Sequence, residues 1–212
     1  MTRQLVKRLT AIPALLVLLV GFFGCSSSSP SSSSVAPKGG TYAVDGPKPI
    51  VVYTAWALNM LGGGGGTTVT IGIYRWSSDA ERAALINILK TEGNAELVAD
   101  MSQLPQVGYI YTQGTLAYAL FYSRENTLPD GSKQIVLATN RPISFAGSIS
   151  PGAQQKYDLG VVEMRLPKSG GDGEGKIIAQ GMASIDDKTG KIEVNNYSGQ
   201  PTRLLQIKEQ RP

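Results

Sequence analysis

Thr67-Thr68-Val69-Thr70-Ile71-Gly72-Ile73-Tyr74-Arg75-Trp76 alternates apolar and polar positions, and the next residues change period. Val69, Ile71 and Ile73 fall on one side, Thr68, Thr70 and Gly72 on the other. A period of two over this length predicts a strand with one buried face. From Ser78 the period becomes helical. Ser78-Asp79-Ala80-Glu81 is a capping-box pattern, in which Ser78 and Glu81 satisfy each other's free amides. Ala84, Leu85, Ile88 and Leu89 then make an apolar stripe at helical spacing, far more in keeping with core packing than with a partner groove. Gly93 stops the helix. Asn94 is expected to cap a second short helix carrying Leu97, Val98, Met101 and Leu104 on one face, with Pro105 at its end.

The flanks read as strands. Ile50 to Leu61 is apolar enough for a strand or a short helix, and Gly62 to Gly66 breaks it. The glycine run lacks the Lys-Ser/Thr of a phosphate-binding loop, so nucleotide binding is not expected there. Downstream, strands are expected at Val107–Thr112, Leu116–Ser123, Gln134–Thr139, Leu159–Leu166, Lys176–Ile185, Lys191–Val194 and Thr202–Lys208. Turns fall at Pro129-Asp130-Gly131, at Ser169–Gly175 and at Asp187-Lys188-Thr189-Gly190, with a loop over residues 140–157. The expected fold is mainly β (α+β): an antiparallel meander of about eight or nine strands with a two-helix insertion. A sheet of that many strands curls into a barrel or splits into a sandwich.

The N-terminus carries a different message. Arg3, Lys7 and Arg8 precede an apolar run from Leu9 to Phe23, shorter than the ~20 residues a membrane-spanning helix needs. This is the pattern of a secretory signal. The run ends Gly24-Cys25-Ser26, which resembles a bacterial lipoprotein signal. That resemblance implies a signal peptide over 1–24, a lipid on Cys25 and anchoring at the outer membrane. Phe22 and Phe23 depart from the Leu and small residue that such signals favour. Two alternatives stay open: cleavage near Gly24 with release of a soluble secreted or periplasmic protein, and an uncleaved anchor helix. Residues 25–44, rich in Ser, Pro and Gly, read as a flexible tether, and 45–212 as a single domain of about 170 residues.

Composition excludes several chemistries. The 212 residues contain 20 basic and 16 acidic side chains, no histidine and one cysteine. Without residues 1–25 the balance is 17 against 16, a net of +1, which gives no electrostatic case for nucleic acid. The absence of histidine removes the common metal ligands and the Ser-His-Asp and Cys-His constellations. No cofactor or metal is expected, and carboxylates, Lys, Tyr, Ser and Arg remain for chemistry.

TVTIGIYRWSSDAERAALINIL, LPQVGYIYTQGTLAYALFYSRE, DGSKQIVLATNRPISF and NYSGQPTRLLQIK resemble an uncharacterised family of exported bacterial proteins. The resemblance covers most of residues 67–208. It implies one domain and brings no activity.

The candidate ligand-binding residues are Tyr109, Tyr111, Tyr118, Phe121, Tyr122 and Trp76. Aromatics on neighbouring strands can line an apolar cavity, although cross-strand packing is the commoner role of such pairs. Asp172 with Glu174, and Asp186 with Asp187, are oxygen-rich turns that match no calcium motif and read as solvated. Arg75 and Arg141 lie near strand ends, where binding residues and ordinary ion pairs both occur. Glu81 is accounted for by its cap. Three roles are consistent with this pattern. The first is a non-enzymatic, lipid-tethered envelope domain binding a small apolar ligand or a protein. The second is a structural component of the envelope, and the third a histidine-free hydrolase.

Overall fold

The alternating stretch around Ile71 forms a strand, with Val69, Ile71 and Ile73 fully buried. The computed structural model describes residues 47–58, 65–144, 158–186, 192–197 and 199–212. All of these belong to one compact unit, Pro37–Pro212. Cys25, the signal, the whole tether, Asp187 and the 187–190 turn lie outside the described residues.

Ten strand segments and two helices follow in order: β1 (Val51–Leu58), β2 (Gly66–Ile73), α1 (Asp79–Thr91), α2 (Asn94–Met101), β3 (Gly108–Thr112), β4 (Tyr118–Leu120), β5 (Tyr122–Thr127), β6 (Lys133–Thr139), β7 (Leu159–Leu166), β8 (Gly173–Ile185), β9 (Ile192–Asn196) and β10 (Thr202–Gln210). All pairings are antiparallel. The sheet order is β4-β3-β2-β1-β10-β8-β7-β6-β5, with β9 also on β8. Its two ends are occupied by β4 and β5, which are consecutive in the chain. At Phe121 this strand passes from β3 to β6: Val107 N donates to Leu120 O, and Phe121 N donates to Ala138 O. The sheet is therefore a nearly closed barrel, and the sandwich alternative falls away. Near closure leaves few unpaired strand edges.

Period two decides what fills the barrel. Tyr53, Ile71, Ile110, Leu120, Ile135, Leu137, Met164, Ile177 and Leu204 point inward and form one core, aliphatic but for the Tyr53 ring and the Met164 thioether. A second cluster lies outside. Leu85 and Leu89 of α1, and Leu97 and Met101 of α2, cover Ala138, Leu159, Val161, Ile178 and Ala183 on the outer faces of β6, β7 and β8. The helices thus sheathe one flank of the barrel.

Two local expectations change. Gly93, not Asn94, is the N-cap of α2, and no side chain caps it. Asn94 Oδ1 instead accepts from Ala183 N at 2.8 Å, tying α2 to β8. The glycines at 173 and 175 belong to β8, not to the preceding turn. A Cβ at Gly175 would collide with the Glu163 carbonyl of β7, so glycine here marks a close approach between strands.

β10 carries a bulge. Thr54 faces Lys208 but Trp56 faces Leu205, and β8 shows the same slip between Leu204 and Ile207. Gln206, with φ of 53°, is the only described non-glycine residue in the left-handed region. The bulge keeps both Leu204 and Ile207 in the core.

Candidate binding surface

The capping box at α1 forms as expected. Ser78 Oγ accepts from Glu81 N, and Ser78 N donates to Glu81 Oε2 at 2.7 Å. Arg75 adds a two-pronged pair to Glu81 at 2.8 and 2.9 Å. The Arg75 pair, then the Ser78 amide, hold the Glu81 carboxyl down at about 2. Both side chains are therefore occupied in fixing the start of α1. Asp172 and Glu174 are exposed. Among the described residues no three Asp, Glu, Cys or His side chains are grouped to hold a metal.

The six aromatic candidates do not converge. Tyr118 faces inward at one mouth of the barrel and packs on the core. Its hydroxyl donates to Ser144 O and accepts from Ser144 N, both at 3.1 Å, and the Arg141 guanidinium lies 5.0 Å from its ring centre. Trp76, beyond the C-terminal end of β2, packs on the same core. Phe121 and Tyr122 join the outer cluster beneath the helices. Tyr109 and Tyr111 alone share an exterior face, with nearly parallel rings 5.9 Å apart.

The opposite mouth holds a charge cluster that the sequence reading did not single out. Lys133 Nζ lies 3.2 Å from Glu209 and 3.9 Å from Glu125. Arg211 reaches the same two carboxylates at 2.5 and 3.8 Å. Two cations against two anions leave no net charge. Burial opposes ionisation of Glu209, but bonds from Arg211 and Lys133 outweigh it and lower its pKa. Tyr53 projects into this cluster, fully buried. Desolvation, and then the Glu209 and Glu125 charges, push its hydroxyl far above the usual range. A hydroxyl held protonated beside paired carboxylates has no driving force as a base or nucleophile.

The exterior of β1–β4 has another character. Val52, Thr54, Trp56 and Leu58 point outward from β1, and Gly66, Thr68, Thr70 and Gly72 from β2. Tyr109 and Tyr111 of β3 and Ala119 of β4 complete the face. No Asp, Glu, Lys or Arg stands on it among the described residues. Charge begins on the flanking β10, where Lys208 faces Thr54 and Arg203 faces Leu58. Two rings lie over glycines: a Cβ at Gly66 would run into the Trp56 indole, and one at Gly72 into the Tyr109 phenol. Tyr74 continues the array, its ring 5.7 Å from Tyr109. Burial, then the Tyr111 and Tyr74 neighbours, raise the Tyr109 pKa, and burial raises that of Tyr74, so these two hydroxyls stay protonated at physiological pH. Trp56 is 44% exposed.

Trp56, Tyr74, Gly66 and Gly72 are absent from the sequence candidates. The signals were there. A glycine inside a strand marks close approach by another group, and Trp56 occupies the outward phase of an alternating strand.

No protein-family model, curated protein or solved structure matches this chain.

Proposed function

We propose that this chain is an exported binding domain, tethered to the cell envelope by a lipid on Cys25, that meets its target on the outer face of β1–β4. One observation carries the second half of this reading: the barrel interior is filled by its own aliphatic side chains. Barrels that carry a ligand keep an internal cavity. With the inside packed and one flank covered by helices, the ring-bearing outer face of β1–β4 is the surface best suited to a partner. The carrier of a small apolar ligand, lined by all six aromatics, loses its support because those residues occupy three separate environments. Export and tethering rest on the Arg3-to-Ser29 sequence pattern alone.

The test is co-sedimentation of lipid-free protein, made as Cys25→Ser without its signal, with isolated cell envelopes. The protein is expected in the pellet. Trp56→Ala combined with Tyr109→Ala is expected to weaken retention on the order of tenfold, a loss of about 1.4 kcal/mol. Equal retention of this variant, or no retention of the parent, would refute the assignment of that face.

A further inference from the structure

The chemistry of the β1–β4 face narrows the class of target. We infer that it binds a neutral polysaccharide, an inference that rests on the binding-domain reading above. A sugar ring has two contrasting surfaces. Its axial C–H groups make an apolar, slightly positive face that packs on the electron-rich face of an aromatic ring, and its rim of hydroxyls needs hydrogen-bond partners. Trp56 and Tyr109 supply the planes. Each lies over a glycine of β2, which lets the ring settle against the sheet. Tyr111 extends the surface along β3 at 29° to Tyr109.

Between the rings stand Thr54, Thr68 and Thr70, whose hydroxyls both donate and accept. A patch meant to bury against a protein core would be expected to carry more aliphatic surface. A patch meant for a charged polymer would carry opposite charges within it. Here aliphatic side chains are confined to Val52 and Leu58 at the two ends of β1 and to Ala119, the polar groups between the rings are neutral hydroxyls, and the nearest cations stand along one border on β10. Uncharged acceptors and donors between aromatic planes match a chain of uncharged hydroxylated rings. The rings and hydroxyls are spread over three neighbouring strands, β1, β2 and β3, which suits a polymer running across several strands more than a single sugar.

The experiment is affinity electrophoresis of the lipid-free full-length mature protein through gels containing a neutral β-glucan, a neutral α-glucan or a galactomannan. Retardation by at least one is expected. Trp56→Ala and Tyr109→Ala should each reduce it on the order of tenfold. Lys90→Ala, exposed on α1, should leave it unchanged. Trp56→Phe keeps a ring in place and is expected to retain part of the binding, which separates lost stacking from misfolding. Circular dichroism confirms the fold of each variant.

Lack of retardation by all three polymers overturns the inference. So does retardation that survives both alanine substitutions. The two readings fail separately. If envelope retention depends on Trp56 but protease treatment of the envelopes abolishes it, the target is a protein; the polysaccharide falls and the binding face stands. If the envelopes retain nothing and the gels show no retardation, both fall.

Discussion

Gln206 occupies the conformation in which side chains other than glycine are strained, at φ of 53°. Its own side chain is exposed and adds no core contact. The left-handed region costs a residue with a Cβ roughly 1–2 kcal/mol. Glycine escapes that cost but loses more chain entropy on folding. Gln206→Gly is therefore expected to stabilise the protein by about 0.5–1 kcal/mol, and Gln206→Val to destabilise it by more than that, in urea titrations. A destabilised glycine variant would mean that the bulge depends on the glutamine side chain. Glu81 offers a second residue-scale test. Its folded carboxyl is held at about 2 against an ordinary 4.5. A depressed acid contributes stability that is complete above its unfolded value and disappears as pH falls through the folded one. Glu81→Gln is expected to cost about 1 kcal/mol near pH 7 through the weakened cap and Arg75 pair. The gap between parent and variant should narrow steadily from pH 5 towards pH 2. A gap independent of pH would show that the ionised carboxylate is not what holds the start of α1.

The barrel closes where one strand serves two neighbours. Phe121 N donates to Ala138 O at 3.0 Å, at the point where β4 leaves β3 and β5 joins β6. Proline at 121 removes that donor inside a strand, a change that costs about 3 kcal/mol or more. Phe121→Ala keeps the donor and loses only ring contacts beneath the helices. The proline variant is expected to lose hydrogen-exchange protection on both sides of the seam, in β3 and β6 together, while the alanine variant retains it. Loss confined to one side would mean the strand does not couple the two sheet ends. This junction also shows how far periodicity reaches. β2 and the two helices were legible because each has a wet side and a dry side; β7 alternates only towards its end, at Glu163 and Arg165, because the helices cover its outer face at Leu159 and Val161. The β4–β5 closure was not, because nothing local distinguishes a strand that changes partners. Residues 124–127 were also missed as strand. Arg124 and Glu125 look like loop residues, yet Glu125 faces inward to a charge cluster completed by Lys133 across the β5–β6 hairpin and by Glu209 and Arg211, which are remote in sequence. Tyr109 and Tyr118 were grouped on chemistry, whereas the strand phase places one outside and the other inside.

At the scale of the whole molecule, the proposed binding face is the outer side of β1–β4, so the way the domain is presented to its surroundings matters to that proposal. The only cysteine in the chain stands at the junction between an apolar run and a Ser-rich stretch. With no second cysteine, an intramolecular disulfide is impossible. On the proposed reading of that run as an export signal, the thiol at its end is the lipid attachment point. One acyl chain holds a protein only marginally at a membrane, whereas two or three hold it stably. Intact mass of detergent-extracted protein is therefore expected to show a mature N-terminus at Cys25 carrying a diacyl or triacyl addition. Cys25→Ala should leave the signal uncleaved or release the domain from the membrane fraction, with no change in the folded domain's denaturation midpoint. Phe22 and Phe23 sit where such signals favour Leu and a small residue, so slow processing should yield a minor unprocessed species that Phe22→Leu with Phe23→Ala reduces. An unmodified mature N-terminus beyond Gly24 would separate the two halves of the proposal: the β1–β4 face would then act in a soluble secreted protein, and its target need not lie within reach of a membrane.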